Sequence, residues 1–305
     1  LAEQGVRFEN CYCNFPLCGP SRMSFMTGRY ASSVRAFDNG AYLASDVPTF
    51  AHAMSAAGYE TVLCGRMDFR GPDQQHGFER RIYSEMKGSL GVLKGANQFN
   101  RSSIEKSGPG RNPLLLCDER RAARAREYLR ARAAGRDERP FCLVTGFSGP
   151  HCPFVCPEDL FQYYFERVEL PRHEAGHFQA MHPYNQRYRR RSSVEDLSEH
   201  EVRRTRAAYY GMVEFCDRLV GEILATLHET GLHENTVVIY TSDHGDMAGE
   251  HGLWWKMSFY EGSVGVPLIV SWPKRWQAAR SVNVPVSLLD LAPTLAEWAE
   301  APPIP

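Results

Sequence analysis

A cysteine and an arginine lie close together near the start of the chain, in the segment NFPLCGPSRMSFMTGRY (14–30). Cys18 precedes Arg22 by about one helical turn, and Pro20 between them is typical of the first turn of a helix. A helix that begins here would place Cys18 at its positive end, where free backbone N–H groups bind oxyanions. Arg22 adds a guanidinium with bidentate hydrogen-bonding geometry. The pattern predicts a site for sulfate or phosphate, although a buried cysteine at an ordinary loop–helix junction would look the same.

The elements that must position these residues alternate between strands and helices. Four apolar runs are typical of buried strands in a largely parallel sheet: TVLCG (61–65), FCLVTGF (141–147), TVVIYTS (236–242) and VPLIVSW (266–272). Helical patterns occur at 49–58, at about 199–230, and at 288–300, where Pro293 breaks or restarts the helix. This alternation predicts an α/β fold with a largely parallel, mixed central sheet and helices on both faces.

Loops at the ends of the predicted strands carry further candidate side chains. Ligands of α/β sheets bind at the C-terminal ends of the strands. The segment Ser-Asp-His-Gly-Asp (242–246) directly follows the third apolar run, and His151, in a loop rich in proline, follows the second. The Gly/Ser/Asn-rich segment from Ser84 to Asn112 predicts a long loop over the same site.

Three blocks of the sequence resemble one enzyme family. Cys18-Gly19-Pro20-Ser21-Arg22, extended by Met26-Thr27-Gly28-Arg29, resembles the sulfatase signature Cys-x-Pro-Ser-Arg followed by Thr-Gly-Arg. Residues 64–79 and 241–270 are similar to blocks of choline-sulfatase-type enzymes of the alkaline phosphatase superfamily. The resemblance runs to about residue 300. It implies a sulfatase catalytic domain over residues 1–305, and a maturing enzyme that converts Cys18 to formylglycine.

The resemblance also implies a role for each matched residue. Residue 18, Asp243 and His244 would bind one divalent cation. A carboxylate suits Ca²⁺, which is the first choice, or Mg²⁺, and an imidazole shifts the preference toward Mn²⁺ or Zn²⁺. Lys256 would bind the sulfate and assist the leaving oxygen, with Trp254 and Trp255 beside it as an apolar wall. His151 would bind the sulfate or act as general acid.

The implied reaction is hydrolysis of a sulfate ester, with choline sulfate or a similar small ester favoured. One hydroxyl of the hydrated formylglycine attacks sulfur with the help of the metal. The ester oxygen then leaves with a proton from His151 or with its charge compensated by Lys256. The second hydroxyl finally loses its proton and expels sulfate, a step that a serine could not take.

The sequence departs from the family pattern at a block that is usually Gly-Lys-x-His. Here it is Gly65-Arg66-Met67-Asp68, so Arg66 keeps the catalytic positive charge but is no proton donor at working pH. Asp68, expected at the substrate, would repel an anion unless it is protonated or paired with Arg66. The family's paired aspartates on a first strand and its smaller C-terminal subdomain have no counterpart here. We therefore expect a chain truncated at both ends.

Composition narrows the expected partners and location. The formal net charge of −1 gives no overall field that would attract nucleic acid, and the Arg-rich stretches at 118–139 and 185–206 are typical of solvated helix faces. No apolar run is long enough for a membrane span, and the first residues lack the basic-then-apolar pattern of a leader. Nine irregularly spaced cysteines favour a reducing cytoplasm over a disulfide framework, with the periplasm possible if a leader was removed. The full-length protein could form a homo-oligomer.

Three alternatives to sulfate-ester hydrolysis stay open. A phosphonate monoester or phosphodiester hydrolase would use the same scaffold and the same modified cysteine. The exchanges at Arg66 and Asp68 also fit a catalytically impaired protein that only binds an anion. Zinc binding is disfavoured because the candidate ligands lack the usual two-residue gaps between zinc cysteines. Those ligands would be Cys11, Cys13 and Cys18, or His151, Cys152 and Cys156.

Overall fold

The computed structural model describes residues 1–84, 99–135, 137–276 and 278–304. Its helices are α1 (Cys18–Thr27), α2 (Phe50–Ala56), α3 (Arg101–Glu105), α4 (Pro113–Ala134), α5 (Glu158–Phe165), α6 (His177–Ala180), α7 (Pro183–Arg191), α8 (Glu199–Glu229), α9 (Glu261–Val264) and α10 (Leu291–Trp298). Its strands are β1 (Val6–Phe8), β2 (Cys11–Tyr12), β3 (Glu60–Gly65), β4 (Arg80–Tyr83), β5 (Gly108–Pro109), β6 (Phe141–Gly146), β7 (Val155–Cys156), β8 (Val238–Thr241), β9 (Leu268–Ser271), β10 (Arg280–Val282) and β11 (Val286–Ser287).

The longer strands form two sheets. One has the order β4-β3-β6 and is parallel throughout, with β3 and β6 in register from Glu60 opposite Phe141 to Gly65 opposite Gly146. The other has the order β10-β1-β9-β8, and β9 runs antiparallel to both of its neighbours. The predicted α/β class with a mixed sheet is confirmed, but the expectation that the run at 266–272 lies among parallel strands is wrong.

Helices cover both faces of the parallel sheet. Successive side chains of a strand point to opposite faces, and neighbouring residues of β3 belong to different hydrophobic clusters. Val62 packs with Tyr128 and Leu129 of α4, whereas Leu63 packs with Met26 of α1 and Phe50 of α2. All six side chains are buried. The two-faced arrangement that the sequence predicts is therefore confirmed at the strand that leads to Arg66.

The helices that support this sheet begin and end at the predicted signals. Thr49 caps α2 through a capping box with His52, and Gly58 follows at φ +86°. Ser198 caps the 31-residue α8 in the same way. A 3₁₀ turn at Leu288–Asp290 runs directly into α10, so Pro293 lies in the first turn of a helix that restarts there.

Arginines of α4 pair with glutamates of α8 along the outside of the protein. Arg126 contacts Glu222 at 2.6 Å, and Arg130 contacts Glu229 at 3.6 Å. The side chains of both pairs are 31 % to 64 % exposed, as predicted for solvated helix faces. The prediction is wrong for other charged residues of the two Arg-rich stretches, which are buried: Asp118, Arg121, Arg189 and Arg206. Within the described residues, no helix is both long and apolar enough to span a bilayer.

Residues 85–98, which form the first half of the segment predicted as a long loop (84–112), lie outside the described residues. The second half is not a plain loop, because Asn100 caps the short helix α3 and β5 follows at Gly108–Pro109. Asn residues favour helix N-caps because the side-chain oxygen accepts a free backbone N–H. A Gly/Ser/Asn-rich composition therefore signals helix starts as well as loops.

Candidate active site

Helix α1 begins at Cys18, as the sequence predicts. Leu17 is the N-cap residue, with an extended backbone, and the thiol of Cys18 is 1 % exposed. The N–H of Gly19 is donated to Oδ1 of Asn39 at 2.9 Å, so a side chain from the following loop closes the first turn. The sequence analysis missed Asn39 as part of the site. The nucleophile position thus lies at the positive end of a helix.

A lysine and a histidine from distant parts of the chain contact the sulfur of Cys18. Nζ of Lys256 lies 3.4 Å from Sγ, and Nε2 of His244 lies 3.2 Å from it. Burial would raise the pKa of the Cys18 thiol, but the charges of Lys256, Arg66 and His244 outweigh burial and lower that pKa well below its ordinary value. The surroundings of residue 18 therefore stabilise negative charge.

Two arginines and two aspartates form an alternating chain of buried charges beside Cys18. Arg66 holds both carboxylate oxygens of Asp68, the shorter contact being 2.8 Å, and Nε of Arg22 lies 3.4 Å from Asp68. The same Nε donates to Oδ2 of Asp243 at 2.9 Å. Burial raises the pKa of Asp243, but Arg22 and His244 lower it overall. Asp68 is therefore paired with two cations and does not face an anion as an isolated charge.

The ends of β3 and β6 bring Arg66 into this chain of charges. The N–H of Arg66 donates to the carbonyl of Gly146 at 2.8 Å. A Cβ added at Gly146 would lie 1.9 Å from the carbonyl oxygen of Arg66, so only glycine permits this approach. Arg22 in turn donates to the same Arg66 carbonyl at 2.9 Å.

His151 lies in the loop after β6 and points toward Lys256. Its Nε2 is 3.1 Å from Nζ of Lys256. Its Nδ1 is 2.7 Å from the carbonyl oxygen of Cys152, which can only accept, so Nδ1 carries the ring proton and Nε2 presents a lone pair to the ammonium. Burial and Lys256 lower the pKa of His151. The neutral ring thus accepts a hydrogen bond from Lys256.

A backbone carbonyl also fixes the ring of His244. Its Nδ1 lies 2.7 Å from the carbonyl of the next residue, Gly245, so Nδ1 carries a proton and the ring turns Nε2 toward Cys18. Burial lowers the pKa of His244, but the Asp243 carboxylate raises it overall. Backbone carbonyls commonly fix the tautomer of metal-binding histidines in this way. Ligand atoms of Cys18, Asp243 and His244 all lie within 4.8 Å of one another.

The zinc alternatives fail within the described part of the chain. There, Cys18, Asp243 and His244 form the only group of three such side chains close enough to share an ion. Neither of the two cysteine-containing sets proposed for zinc is brought together in this way. No disulfide joins any of the nine cysteines in the described structure.

Asp246 organises the turn that presents Lys256. Its Oδ1 accepts the N–H of Ala248 at 2.9 Å and that of Trp255 at 3.0 Å. Burial raises the pKa of Asp246 to about 6. Trp254 and Trp255 are at most 1 % exposed, and Phe99 lies 4.9 Å from Nζ of Lys256. The apolar wall expected beside Lys256 is present. Asp246 lies in the segment that the sequence singled out, but its role in holding this turn was not predicted, and Phe99 was not among the predicted site residues.

Every residue predicted for the site lies in this one buried cluster. The contacts run from Cys18 to Lys256 and His244, from Lys256 to His151, and from Asp243 through Arg22 to Asp68 and Arg66. The cluster offers a helix N-terminus, buried cations, a neutral imidazole and two oxygen or nitrogen metal donors. Such a set can bind a tetrahedral oxyanion and stabilise charge that develops on it.

Comparison with known proteins agrees with this geometry. The sulfatase family matches residues 1–301. A choline-sulfatase of Rhizobium meliloti is 36 % identical, over 98 % of this chain and 61 % of its own length. An arylsulfatase K of Xenopus laevis is 30 % identical, over 98 % and 57 %. The chain thus spans less than two thirds of these curated relatives.

Solved structures support the fold independently. The phosphonate monoester hydrolase of Silicibacter pomeroyi superposes with a TM-score of 0.79 at 25 % identity, covering 100 % of this chain and 68 % of that one. The enzyme of Agrobacterium radiobacter gives 0.80 at 25 % identity, covering 99 % and 68 %. Because the family match extends over nearly all of the sequence, the chain belongs to the sulfatase family.

Proposed function

We propose that the full-length protein hydrolyses a sulfate ester at residue 18. The observation that supports this most strongly is the convergence of Lys256 and His244 within 3.4 Å of the Cys18 sulfur, at the first residue of a helix. Sulfatases generally use a metal ion and a formylglycine made from the signature cysteine. We propose that Cys18 is that residue, and that a formylglycine-generating or equivalent enzyme matures it.

In the proposed reaction, the residues of the cluster first bind the sulfate group of the substrate. Lys256 and Arg66 bind the sulfate oxygens, His151 orients Lys256, and Asp68 takes part in substrate binding by holding Arg66 in place. Arg22 fixes the chain of charges to α1. The bond between sulfur and the oxygen of residue 18 forms as the bond between sulfur and the ester oxygen breaks.

The proposed source of the proton for the leaving oxygen is Lys256. The Nδ1–H of His151 is donated to the Cys152 carbonyl, so Nε2 has no proton to give and accepts from Lys256 instead. Lys256 therefore supplies the nearest N–H, and His151 orients it. The wall of Trp254, Trp255 and Phe99 excludes water and strengthens the charge of Lys256.

The donor set fits one divalent cation. His244 offers a lone pair on Nε2 because its other ring nitrogen bonds Gly245, and Asp243 and residue 18 supply the further donors. When bound, the cation would neutralise charge on sulfate and lower the pKa of a hydroxyl at residue 18. We propose Ca²⁺, with Mn²⁺ and Mg²⁺ as the alternatives to test.

The proposed substrate is choline sulfate or a similarly small sulfate ester, which rests on the 36 % identity with a choline-sulfatase. The test uses full-length protein co-expressed with a formylglycine-generating enzyme and supplied with Ca²⁺. We expect release of sulfate from choline sulfate and from 4-nitrophenyl sulfate, and none from Cys18→Ala. Absence of release from protein whose residue 18 is fully converted would reject the proposal.

A phosphonate monoester hydrolase is the second candidate, because two such enzymes superpose with TM-scores of 0.79 and 0.80. Both substrates are tetrahedral oxyanions, and the cluster of cations around Cys18 accommodates either. The ratio of kcat/KM for a sulfate and a phosphonate ester of one leaving group separates the candidates. We expect the sulfate ester to be favoured.

A further inference from the structure

His151 depends on a short irregular loop for its position. The loop lies between β6, which ends at Gly146, and β7, which begins at Val155. Within it, the N–H of His151 donates to the carbonyl of Ser148 at 3.0 Å. Regular sheet pairing does not hold this turn, and a displacement of about 1 Å in a positioning group can cost about 100-fold in rate. The side chains that bind the loop backbone are therefore of functional interest.

A carboxylate on α4 binds two consecutive amides of this loop. Oδ1 of Asp118 accepts the N–H of Ser148 at 2.8 Å, and Oδ2 accepts the N–H of Gly149 at 2.8 Å. Arg121, one turn further along α4, forms an ion pair with Asp118 and donates to Oγ of Ser148 at 2.6 Å. The loop is thus fixed two to three residues before His151 by both oxygens of one carboxylate.

Burial of the ion pair between Asp118 and Arg121 costs free energy of folding. Asp118 is 0 % exposed and Arg121 is 1 % exposed. Buried ion pairs often stabilise a fold no better than apolar side chains of the same volume would, because both charges lose their hydration. The guanidinium also needs a space without a side chain, since a Cβ at Gly65 would lie 2.9 Å from Cδ of Arg121. A purely packing role would be met more simply by apolar residues, whereas the two directed amide bonds require a carboxylate.

We propose that Asp118 is a positioning residue for the reaction: with Arg121 it holds the backbone of Ser148 and Gly149 so that Nε2 of His151 faces Nζ of Lys256. Asp118 touches neither substrate nor the reacting atoms. It acts through His151, which in turn orients the ammonium that protonates the leaving oxygen. The inference rests on the proposed function, which assigns that proton transfer to Lys256.

The decisive variant is Asp118→Asn in the full-length, matured protein. The amide can accept only one of the two loop N–H groups and presents an NH₂ to the other. An alkyl ester such as choline sulfate needs a proton on its leaving oxygen, whereas 4-nitrophenyl sulfate needs little help. We expect kcat for choline sulfate to fall about 100-fold and kcat for the aryl ester to fall less than about 10-fold. A role in stability alone would lower both rates by the same factor.

Glu60→Gln is the matched control. Glu60 is also a buried carboxylate with partners on α4, Tyr128 at 2.8 Å and Arg132 at 3.4 Å, but it lies at the opposite end of β3 from the site. We expect this variant to lose stability without changing the ratio of the two rates. If it shifted that ratio as much as Asp118→Asn, the ratio would report general destabilisation and the proposal would be overturned.

Two further measurements do not require the Asp118→Asn variant to turn over substrate. Ser148→Ala removes only the contact of Arg121 with the loop. We expect it to shift the ratio of kcat for choline sulfate to kcat for the aryl ester in the same direction as Asp118→Asn, by about 5-fold.

Hydrogen exchange of the peptide covering 147–153 should speed up in Asp118→Asn and stay unchanged in Glu60→Gln, whether or not the protein turns over sulfate esters. Unchanged exchange would refute the role of Asp118, whereas lack of sulfate release by the wild type would refute only the proposed function.

Discussion

Nζ of Lys256 lies 3.1 Å from Nε2 of His151, and the carbonyl of Cys152 fixes that ring with its lone pair toward the ammonium. His244 is fixed in the same way by Gly245 and turns its Nε2 toward Cys18. The ring of His151 is therefore an acceptor from Lys256. Of these two groups the lysine is the one that can donate a proton to a leaving oxygen, so we assign acid catalysis to Lys256.

Removal of the Lys256 charge should impair catalysis more than folding. We expect Lys256→Met, which keeps the apolar stem, to lower kcat on choline sulfate by about 100- to 1,000-fold. The loss on 4-nitrophenyl sulfate should be smaller, because its leaving oxygen needs less protonation. Steady-state kinetics on both esters check this. Equal losses on the two esters would argue that Lys256 only binds the anion.

Asp68 should be important for stability because it pairs with two buried arginines. We expect Asp68→Asn to lower the free energy of unfolding by about 3 kcal/mol, since Arg66 and Arg22 keep their burial and lose a carboxylate. Denaturant titration measures this. Asp196→Asn is the control: it breaks an exposed pair with Arg101, and we expect a loss below about 1 kcal/mol. Equal losses in the two variants would contradict the buried pairing.

The Arg66–Asp68 pair should act as a unit in catalysis. Because Asp68 holds Arg66 through two oxygens, the double substitution Arg66→Lys with Asp68→His should lower kcat/KM by about 10- to 100-fold. Kinetics of the double variant beside both single variants provide the test. A large gain would instead show that the pair impairs the site, as expected of a protein that only binds an anion.

Metal binding should stabilise the full-length protein. Chelation with EDTA should lower Tm, and a cation at 100 times its Kd should raise the free energy of unfolding again by about 2.7 kcal/mol.

Replacing the imidazole by an amide oxygen, in His244→Asn, should shift the preference for the bound cation from Mn²⁺ toward Ca²⁺. Thermal denaturation with each cation measures the order. His200→Asn, at an exposed position on α8, should leave the order unchanged. The same order in His244→Asn as in the wild type would exclude His244 as a ligand.

A histidine cluster outside the site should make stability depend on pH. The rings of His173, His177 and His251 stack, and Nδ1 of His251 lies 3.1 Å from Nε2 of His177. Burial and His177 lower the pKa of His251, and burial, His177 and His251 lower that of His173, although the nearby carboxylate of Glu250 opposes both shifts. The unfolded chain therefore binds more protons as the pH falls below about 6.5, and the folded state loses stability there.

We expect His177→Gln to flatten this dependence, because it removes a neighbour that lowers both pKa values. The slope of Tm between pH 7 and pH 5 is the measurement. His200→Gln, on an exposed face of α8, should keep the wild-type slope. If the His177→Gln slope paralleled the wild type, the cluster would not contribute to the acid sensitivity.

The sequence predicted the site better than it predicted the way the site is held. Cys18 and Arg22 were found because a short motif places a nucleophilic and a charged residue at a helix start, whereas Lys256 was found through the resemblance of its segment to the sulfatase family. The pairing of Asp68 with both arginines was anticipated only for Arg66. The antiparallel direction of β9 could not be read from its apolar run, since a strand buried on both faces has the same composition in either direction.

The roles of Asp118 and Asp246 could not be predicted for a different reason. Each is a buried carboxylate that binds backbone N–H groups of another segment, and such bonds depend on tertiary packing rather than on local spacing. Asp118 lies in an Arg-rich helix whose composition is typical of a solvent-exposed face. Its burial becomes visible only when α4 is packed against the ends of β3 and β6.

The most direct measurement of the central claim relates turnover to the chemistry of residue 18. Full-length protein prepared with different amounts of the maturing enzyme contains different fractions of formylglycine at this position, which the mass of the Cys18 peptide reports. We predict that the rate of sulfate release is proportional to that fraction and extrapolates to zero for the unmodified thiol. Release that is independent of the fraction, or absent from fully converted protein, would contradict the account.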